Sequence, residues 1–568
     1  MAAIGATAYS VTGTSSAEPR SQAGPDTLLA TLMRANDANA ERLRAAQEMT
    51  TGHRWLGGVR DDYGIHTAGG TAGLIKTLVA AFYSPASKLY RSPVVAERLL
   101  PATRYLLACQ HEDGTIDLHT TNFHSPPDTA FVLEPVCVAL AVLKIQPGET
   151  VPSEARKNLE VFIRRAGDAL AVGGIHTPNH RWVVCSALAR VNTLFPDEKY
   201  VRRIDNWLAE GIDIDSDGQF TERSTSIYSP TVDRALLTAG RLLNRPKLLD
   251  PVRRNLELTL YFLHEGGEVA TEVSRRQDQY QKGLVLPYYI PYRYLALKDR
   301  DGRFASVARL IEASFASSLG GELIYFLEDP ALGSQLPEPG PLPEDFERVF
   351  PASAAARVRR GPVSATILAQ NSTFFTFRCG PAVLEAFRFA SAFFGKGQFR
   401  GDQLEANQGR YILRQQLSGP YYQPLSSDLR RADGVWTGVA GRATSEVQTL
   451  TSEVSIRESP ARGAFQLEIS IVGTERVPVA LEFAWRKGGE FSGVVPVPGV
   501  PDAYFLRDGF AQYTAGGQTV RFGPGRHEHG WTQLRGADPK SPGLCVYLTG
   551  FTPFRTTIEI QAADRLAN

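Results

Sequence analysis

The chain has 568 residues, with 43% hydrophobic, 21% charged and 10% aromatic side chains, values that exclude a wholly disordered, collagenous or coiled-coil protein. A net charge of +1 gives no global field that points to nucleic acid, and no stretch approaches the 18 uninterrupted apolar residues of a membrane-spanning helix. Length sets an expectation of two to four domains.

The start, up to about residue 25, is small, apolar and then Ser/Gly/Pro-rich. It reads as a flexible N-terminal segment or the remnant of a signal peptide, hence an expectation of a periplasmic or secreted location. From about residue 26 to 332 apolar residues recur every three or four positions, as in Val132, Val136, Ala139, Leu140 and Leu143. The spacing predicts helices near 27–49, 73–84, 91–111, 129–146, 153–171, 180–195, 197–212, 229–244, 248–263, 284–298, 303–318 and 321–329. Their connections alternate between long (50–72, 112–128, 172–179, 213–228, 264–283) and short. In a chain of antiparallel helix hairpins alternate connections emerge on one face, so the long polar loops gather at one end. Twelve helices paired in this way predict an (α/α)6-type toroid, the alternative being a superhelical helical-repeat array, which more often shows a stricter repeat length. Residues 333–350 hold four prolines and read as a linker. From 351 to 568 the pattern changes to period two, as in Phe465-Gln466-Leu467-Glu468-Ile469-Ser470-Ile471, which predicts an antiparallel β-sandwich and an α+β multidomain chain overall.

The five cysteines are scattered through apolar runs with no CxxC, so they read as buried thiols and not as a zinc site or disulfide frame. Eight of the ten histidines (53, 66, 111, 119, 124, 176, 180, 264) fall in or beside the long loops. Loop 112–128 offers Asn122, His124 and Asp128, the last a candidate N-cap. Loop 172–179 ends in Asn179, also a candidate N-cap, followed by His180 in a first helical turn, where the helix dipole keeps an imidazole neutral. Loop 213–228 offers Asp213, Asp215, Asp217, Glu222, Arg223 and Tyr228. Its acidic run is similar to a calcium loop, but the twelfth position from Asp213 is Ser224 in place of a bidentate Glu, so no metal is expected. Loop 264–283 adds Arg275, Arg276, Gln277 and Asp278.

These residue types suit proton abstraction beside a carboxylate. The C5 proton of a uronic acid becomes removable once its carboxylate is neutralised, which Asn179 and Arg276 can do. A base then takes the proton and an acid protonates the leaving O4, roles for Tyr228 and a neutral His180, with no cofactor. Substrate contacts are expected from His124, Asn122, Glu222, Arg223, Arg275, Arg276 and Trp182, the partner being an acidic polysaccharide or oligosaccharide, with neither nucleic acid nor membrane.

A helical half followed by a β half, Gly-Gly-Ile-His-Thr-Pro-Asn179-His180-Arg-Trp, then Glu222-Arg223-Ser-Thr-Ser-Ile-Tyr228, then Ser274-Arg275-Arg276-Gln-Asp278, resembles the heparinase II/III-like and alginate-lyase-like polysaccharide lyases. The resemblance implies a toroid with antiparallel β-sheets and β-elimination. It assigns carboxylate neutralisation to Asn179, base or base-assisting chemistry to His180, the acid or both roles to Tyr228, and a subsite to Arg276. A further histidine that such enzymes often carry has three candidates, His124, His264 and His527. Two other readings use the same loops: a glycoside hydrolase with a carboxylate pair drawn from Asp128, Asp215, Asp217, Glu222 and Asp278, or a non-catalytic carbohydrate-binding protein with Trp182, Tyr288, Tyr289 and Tyr292 as stacking platforms.

Overall fold

The structure, a computed structural model, describes residues 27–145, 151–430, 433–434 and 440–563. The expected flexible segment 1–25 lies outside the described residues. The chain divides into two compact units between Leu342 and Pro343.

In the first unit all twelve expected helices form: α1 Leu28–Ala46, α2 Ala68–Phe82, α3 Pro93–Ala108, α4 Pro126–Ile145, α5 Ser153–Val172, α6 Pro178–Leu194, α7 Glu198–Leu208, α8 Tyr228–Leu242, α9 Leu249–Phe262, α10 Tyr289–Asp299, α11 Gly302–Phe315 and α12 Leu323–Glu328. Helices α2, α4, α6 and α8 pack on one another in sequence, α8 meets α10, and α12 meets α2 and α4. These inner helices are apolar on most sides, as with Val183, Val184, Cys185, Ala187, Leu188 and Ala189 of α6. The outer helices bury a stripe only; α7 buries just Tyr200 and Ile204. This is the amphipathic rule for helices that face both core and water. The ring is drawn together where α1 meets the turn before α12. There Gly320 lies so close to the Ala35 backbone that a β-carbon would overlap it. Helices α2, α4, α6, α8 and α10 each start after a long loop, so their N-termini share a rim.

Two expected caps are shifted. Asp128 is the third residue of α4, and Ser125 caps the helix by accepting from Asp128 N at 3.2 Å. Asn179 is the second residue of α6, with Thr177 in the cap position and Pro178 opening the helix, where its missing N–H costs nothing.

The second unit is a pair of antiparallel sheets. The nine-stranded sheet runs, edge to edge, Val495–Pro496, Ala503–Phe505, Leu544–Phe551, Pro478–Trp485, Ala382–Ser391, Phe375–Cys379, Val363–Leu368, Ala355–Arg360 and Asp345–Phe350. Ala503–Phe505 pairs in parallel with Leu544–Phe551, and the ladders between the sheet's other described strands are antiparallel. The eight-stranded sheet runs Leu404–Asn407, Arg410–Tyr422, Thr444–Glu458, Phe465–Gly473, Phe554–Ala562, Gln518–Gly523, Ala511–Ala515 and Glu490–Ser492. Aromatic rings interlock between the sheets: Phe375 meets Phe465 at 5.6 Å, Phe483 meets Phe522 at 5.4 Å and Trp485 meets Tyr513 at 4.8 Å. Phe465–Gly473 alternates buried and half-buried side chains, as its period-two pattern requires.

The stretch 333–350 corrects the linker expectation. Asp345–Phe350 is a strand paired with Ala355–Arg360. The residues before it are strapped to the last helices. Arg293 donates to Leu332 O (2.6 Å) and Ser334 O (2.9 Å), Arg309 to Pro337 O (2.8 Å), and Ser306 Oγ to Gly340 O (2.6 Å). Prolines remove N–H donors but keep carbonyls, and those acceptors are taken up by guanidinium and hydroxyl donors. All five cysteines are free thiols, and Cys137, Cys185, Cys379 and Cys545 are buried.

Candidate active site

Glu222 sits at the centre of the rim. The backbone N–H of Asn179 donates to its Oε2 at 3.1 Å, and Asn179 Nδ2 donates to the same oxygen. A carboxylate from another loop thus satisfies an orphan N–H of α6 at the positive end of the helix dipole, where negative charge is favoured. The other oxygen, Oε1, pairs with Arg276 Nη1 at 3.2 Å. The Arg276 guanidinium lies 5.1 Å from the Tyr228 ring centroid, and the Tyr228 hydroxyl accepts from Gln277 Nε2. Asn179, Glu222, Arg276, Tyr228 and Gln277 therefore form one connected constellation drawn from three loops.

Two of those loops are zipped together beneath it. Buried Asp278 accepts through Oδ2 from Ser226 N (3.1 Å), Ser226 Oγ (3.1 Å) and Ser274 Oγ (3.0 Å). Thr225 N donates to Ser274 Oγ at 3.0 Å, and Arg275 N donates to Arg223 O at 2.7 Å. Tyr288 anchors the arrangement from below by donating to Thr225 O at 2.7 Å. Ser224 Oγ accepts from Tyr228 N at 3.1 Å and so fixes the start of α8.

His180 follows Asn179 and is 1% exposed, and neither of its ring nitrogens finds a hydrogen-bond partner within the protein. Burial, helped by His176 and Arg276, pushes it down to about 4, so it is neutral at pH 7. The exposed ring of His176 covers it edge-on at 4.8 Å, with Phe131 on another side at 6.0 Å. Asn179 is 2% exposed, and its Oδ1 also lacks a partner.

The remaining candidates separate into groups. Arg223 has a left-handed backbone (φ +46°) and reaches Asp215 at 3.6 Å; Arg275 lies beside it and is lowered by burial and by that neighbouring charge. Asn122 and His124 belong to a different cluster at the start of α4. Asn122 donates to Asp128 at 2.8 Å, while His124 bonds Asp113 at 2.8 Å and stacks on His111 at 3.8 Å. Trp182 corrects its expected role: it is 0% exposed and donates to Asp213 Oδ1 at 2.9 Å, so it offers no face to a sugar. Tyr288, Tyr289 and Tyr292 are likewise buried, with hydroxyls bonded to Thr225 O, Glu312 and Leu256 O. The acidic run folds on itself: Asp215 Oδ1 accepts from the backbone of Asp217, Gly218 and Gln219 at 2.9–3.0 Å. His529 bonds Gly550 O at 3.0 Å, within the β unit. Among the described residues no three His, Cys, Asp or Glu side chains are placed to hold a metal.

Two roles had no sequence signal. Glu222 caps α6 by accepting from an N–H 43 positions earlier in the chain, a distance no local pattern encodes. Gln277 shows no feature in the sequence that ties it to Tyr228.

No protein-family model matches the sequence, and no curated protein matches it. Solved structures do. A xanthan lyase from Paenibacillus matches with a TM-score of 0.59 and 11% identity, over 95% of this chain and 57% of that one. The chondroitin AC lyase of Streptomyces coelicolor A3, solved in complex with chondroitin sulphate, matches with a TM-score of 0.56 and 14% identity, over 95% of this chain and 80% of that one. The chain thus spans little more than half the length of the xanthan lyase. The likeness establishes the fold: a helical toroid followed by antiparallel β-sheets, the architecture in which these two lyases are built.

Proposed function

We propose that the protein is a polysaccharide lyase that cleaves a uronic-acid-containing glycan by β-elimination. The observation that carries this reading is the Asn179–Glu222–Arg276–Tyr228 constellation on the rim of a toroid. The fold shared with xanthan and chondroitin AC lyases supports it.

Asn179 spends its backbone N–H and one amide N–H on Glu222 and the other amide N–H on Thr177 Oγ1 at 3.4 Å, so its part is indirect: it fixes Glu222, and Glu222 fixes Arg276. The guanidinium keeps further N–H groups for a sugar carboxylate, which a planar fork grips in bidentate fashion. With that charge offset, Tyr228 in its phenolate form, its own proton released to solvent, takes the C5 proton and becomes a phenol. The C5 electron pair forms the C4–C5 double bond, the C4–O4 bond breaks, and the leaving O4 takes a proton from the same phenol. His180 is neutral but sealed, so the proton transfers fall to Tyr228, and His180 assists once His176 moves from its face. Arg223 and Arg275 flank the site as contacts for an anionic chain.

A hydrolytic carboxylate pair is less well served by this geometry. Glu222 is held by Asn179 and Arg276, Asp278 by three donors, Asp128 by Ser125 and Asn122, and Asp215 by its own turn. A general acid must be free to exchange its proton with substrate.

Screening glucuronan, alginate, glycosaminoglycans and rhamnose-containing acidic glycans for new ultraviolet absorbance tests the reading, because elimination creates a 4,5-unsaturated uronide and hydrolysis does not. New reducing ends without that absorbance would replace the lyase with a hydrolase. A periplasmic or secreted location fits a polymeric substrate, and cell fractionation would reveal it.

A further inference from the structure

Three consecutive side chains of the loop before α10 reach across to the loop before α8: Arg276 to Glu222, Gln277 to Tyr228 and Asp278 to Ser226. The outer two are an ion pair and a buried acceptor. The middle one touches the hydroxyl that the lyase reading makes the proton carrier. Gln277 is an exposed residue, so burial does not force its amide onto that partner.

We propose that Gln277 is the positioning residue of Tyr228, holding the phenol oxygen by an amide N–H so that the phenol's own O–H is turned toward the sugar. This inference rests on the lyase reading of the same site. A phenol oxygen donates once and accepts, whereas an amide nitrogen only donates. With the accepting side filled by Gln277, the O–H must find another acceptor. When the phenol gives up its proton, the same N–H faces a phenolate and becomes a charge-assisted bond, about twice as strong as a neutral one. Help that grows as charge develops lowers a barrier without tightening ground-state binding. Arg276 over the ring acts in the same sense. The titratable group that Gln277 touches is Tyr228; its chain neighbours are Arg275, Arg276 and Asp278, with Glu222 paired to Arg276, Arg223 beside Arg275 and His180 within reach of the Arg276 charge.

The test uses the full chain and three readouts. Gln277→Ala should lower kcat about 10- to 100-fold with KM changed less than about twofold, the share of a general acid–base contribution of about 10²–10⁴ that positioning supplies. Gln277→Glu should be worse at neutral pH, because a carboxylate accepts the phenol proton and cannot donate. Its rate relative to wild type should then recover as the pH falls toward about 4.3, where an ordinary glutamate carboxyl regains a donor. The tyrosine Fermi doublet in Raman difference spectra, wild type minus Tyr228→Phe, should shift from strong acceptor to weak acceptor character in the Gln277→Ala background. Wild-type kcat in both variants, or a Gln277→Glu deficit independent of pH, would overturn the inference while leaving the lyase standing. If the wild type makes no unsaturated product from any acidic glycan, the lyase reading falls, and a doublet unchanged by Gln277→Ala would then overturn the hold on Tyr228 as well.

Discussion

The inner helices carry polar side chains in two bands, one around their N-terminal ends and one near their middles, and the two bands obey opposite rules. In the middle band charges face opposite charges. Arg190 of α6 lies 3.2 Å from Glu134 of α4 and 2.6 Å from Glu328 of α12. Arg234 of α8 makes two bonds to Glu322, at 3.1 and 2.8 Å. Tyr325 donates to Glu134 at 2.6 Å and lays its ring against Arg234 at 4.4 Å. Half-buried Lys76 of α2, whose amine desolvation pulls downward, has Glu322 and Glu134 as its countercharges. On the rim, by contrast, Asn179 Oδ1 and both nitrogens of His180 are buried without a partner in the protein. A buried polar atom left unsatisfied costs about 1–3 kcal/mol. Asp233 of α8 breaks the rule of the middle band: both its oxygens lack partners, and burial raises it well above the usual carboxylate range. The contrast separates charge that holds the toroid together from polarity that the protein itself leaves unsatisfied.

Tyr228→Phe tests the rim most sharply. Turnover should fall by about 10²–10⁴-fold, the usual general acid–base contribution, with an unchanged melting temperature; steady-state rates and a thermal melt check both. A near-normal rate would remove the phenol from the chemistry. Arg190→Met tests the middle band. It removes the guanidinium that Glu134 and Glu328 share, leaving Tyr325 on one and Arg241 on the other, and breaking a buried pair from one side costs up to about 3–5 kcal/mol. Denaturant unfolding should show that loss, while activity per folded molecule stays close to wild type. An activity loss without a stability loss would merge the two bands into one.

Arg276→Ala should raise KM for an anionic glycan by about tenfold, the scale of one charge-assisted contact of about 1.5 kcal/mol. An equal effect on a neutral glycan would count against the carboxylate clamp. The smallest effect concerns His180. Its folded value of about 4 lies below the ordinary 6.5. The unfolded chain therefore takes up a proton that the folded chain refuses between those values. The stability owed to neutral His180 is complete above about pH 6.5 and drains away as pH falls toward 4. His180→Gln should flatten that part of a melting-temperature profile, and an unaltered slope would show the imidazole is not held neutral by burial.

Much of the first unit was legible in sequence because inner and outer helices bury different amounts of surface. A 3.6-residue apolar period locates each helix, and alternating loop lengths place their N-termini on one rim. The β half was legible from its period of two, as in Phe465–Gly473. The strand at Asp345–Phe350 was not, because the prolines just before it dominate the local signal. Asn179, His180 and Tyr228 stood out because each opens a helix after a long polar loop. Trp182 misled because it follows Asn179 and His180 in the first turns of α6 but turns inward, at 0% exposure.

Sequence by itself settled the elements, their order and the loops that would carry chemistry, since periodicity and turn residues act over a few neighbours. Only the tertiary structure decided which carboxylate faces which donor. Glu222 lies 43 residues after Asn179 and 54 before Arg276, and Gln277 lies 49 after Tyr228. Those partners meet because helix packing closes the loops between them, and hydrogen bonds between side chains so far apart leave no trace in local composition.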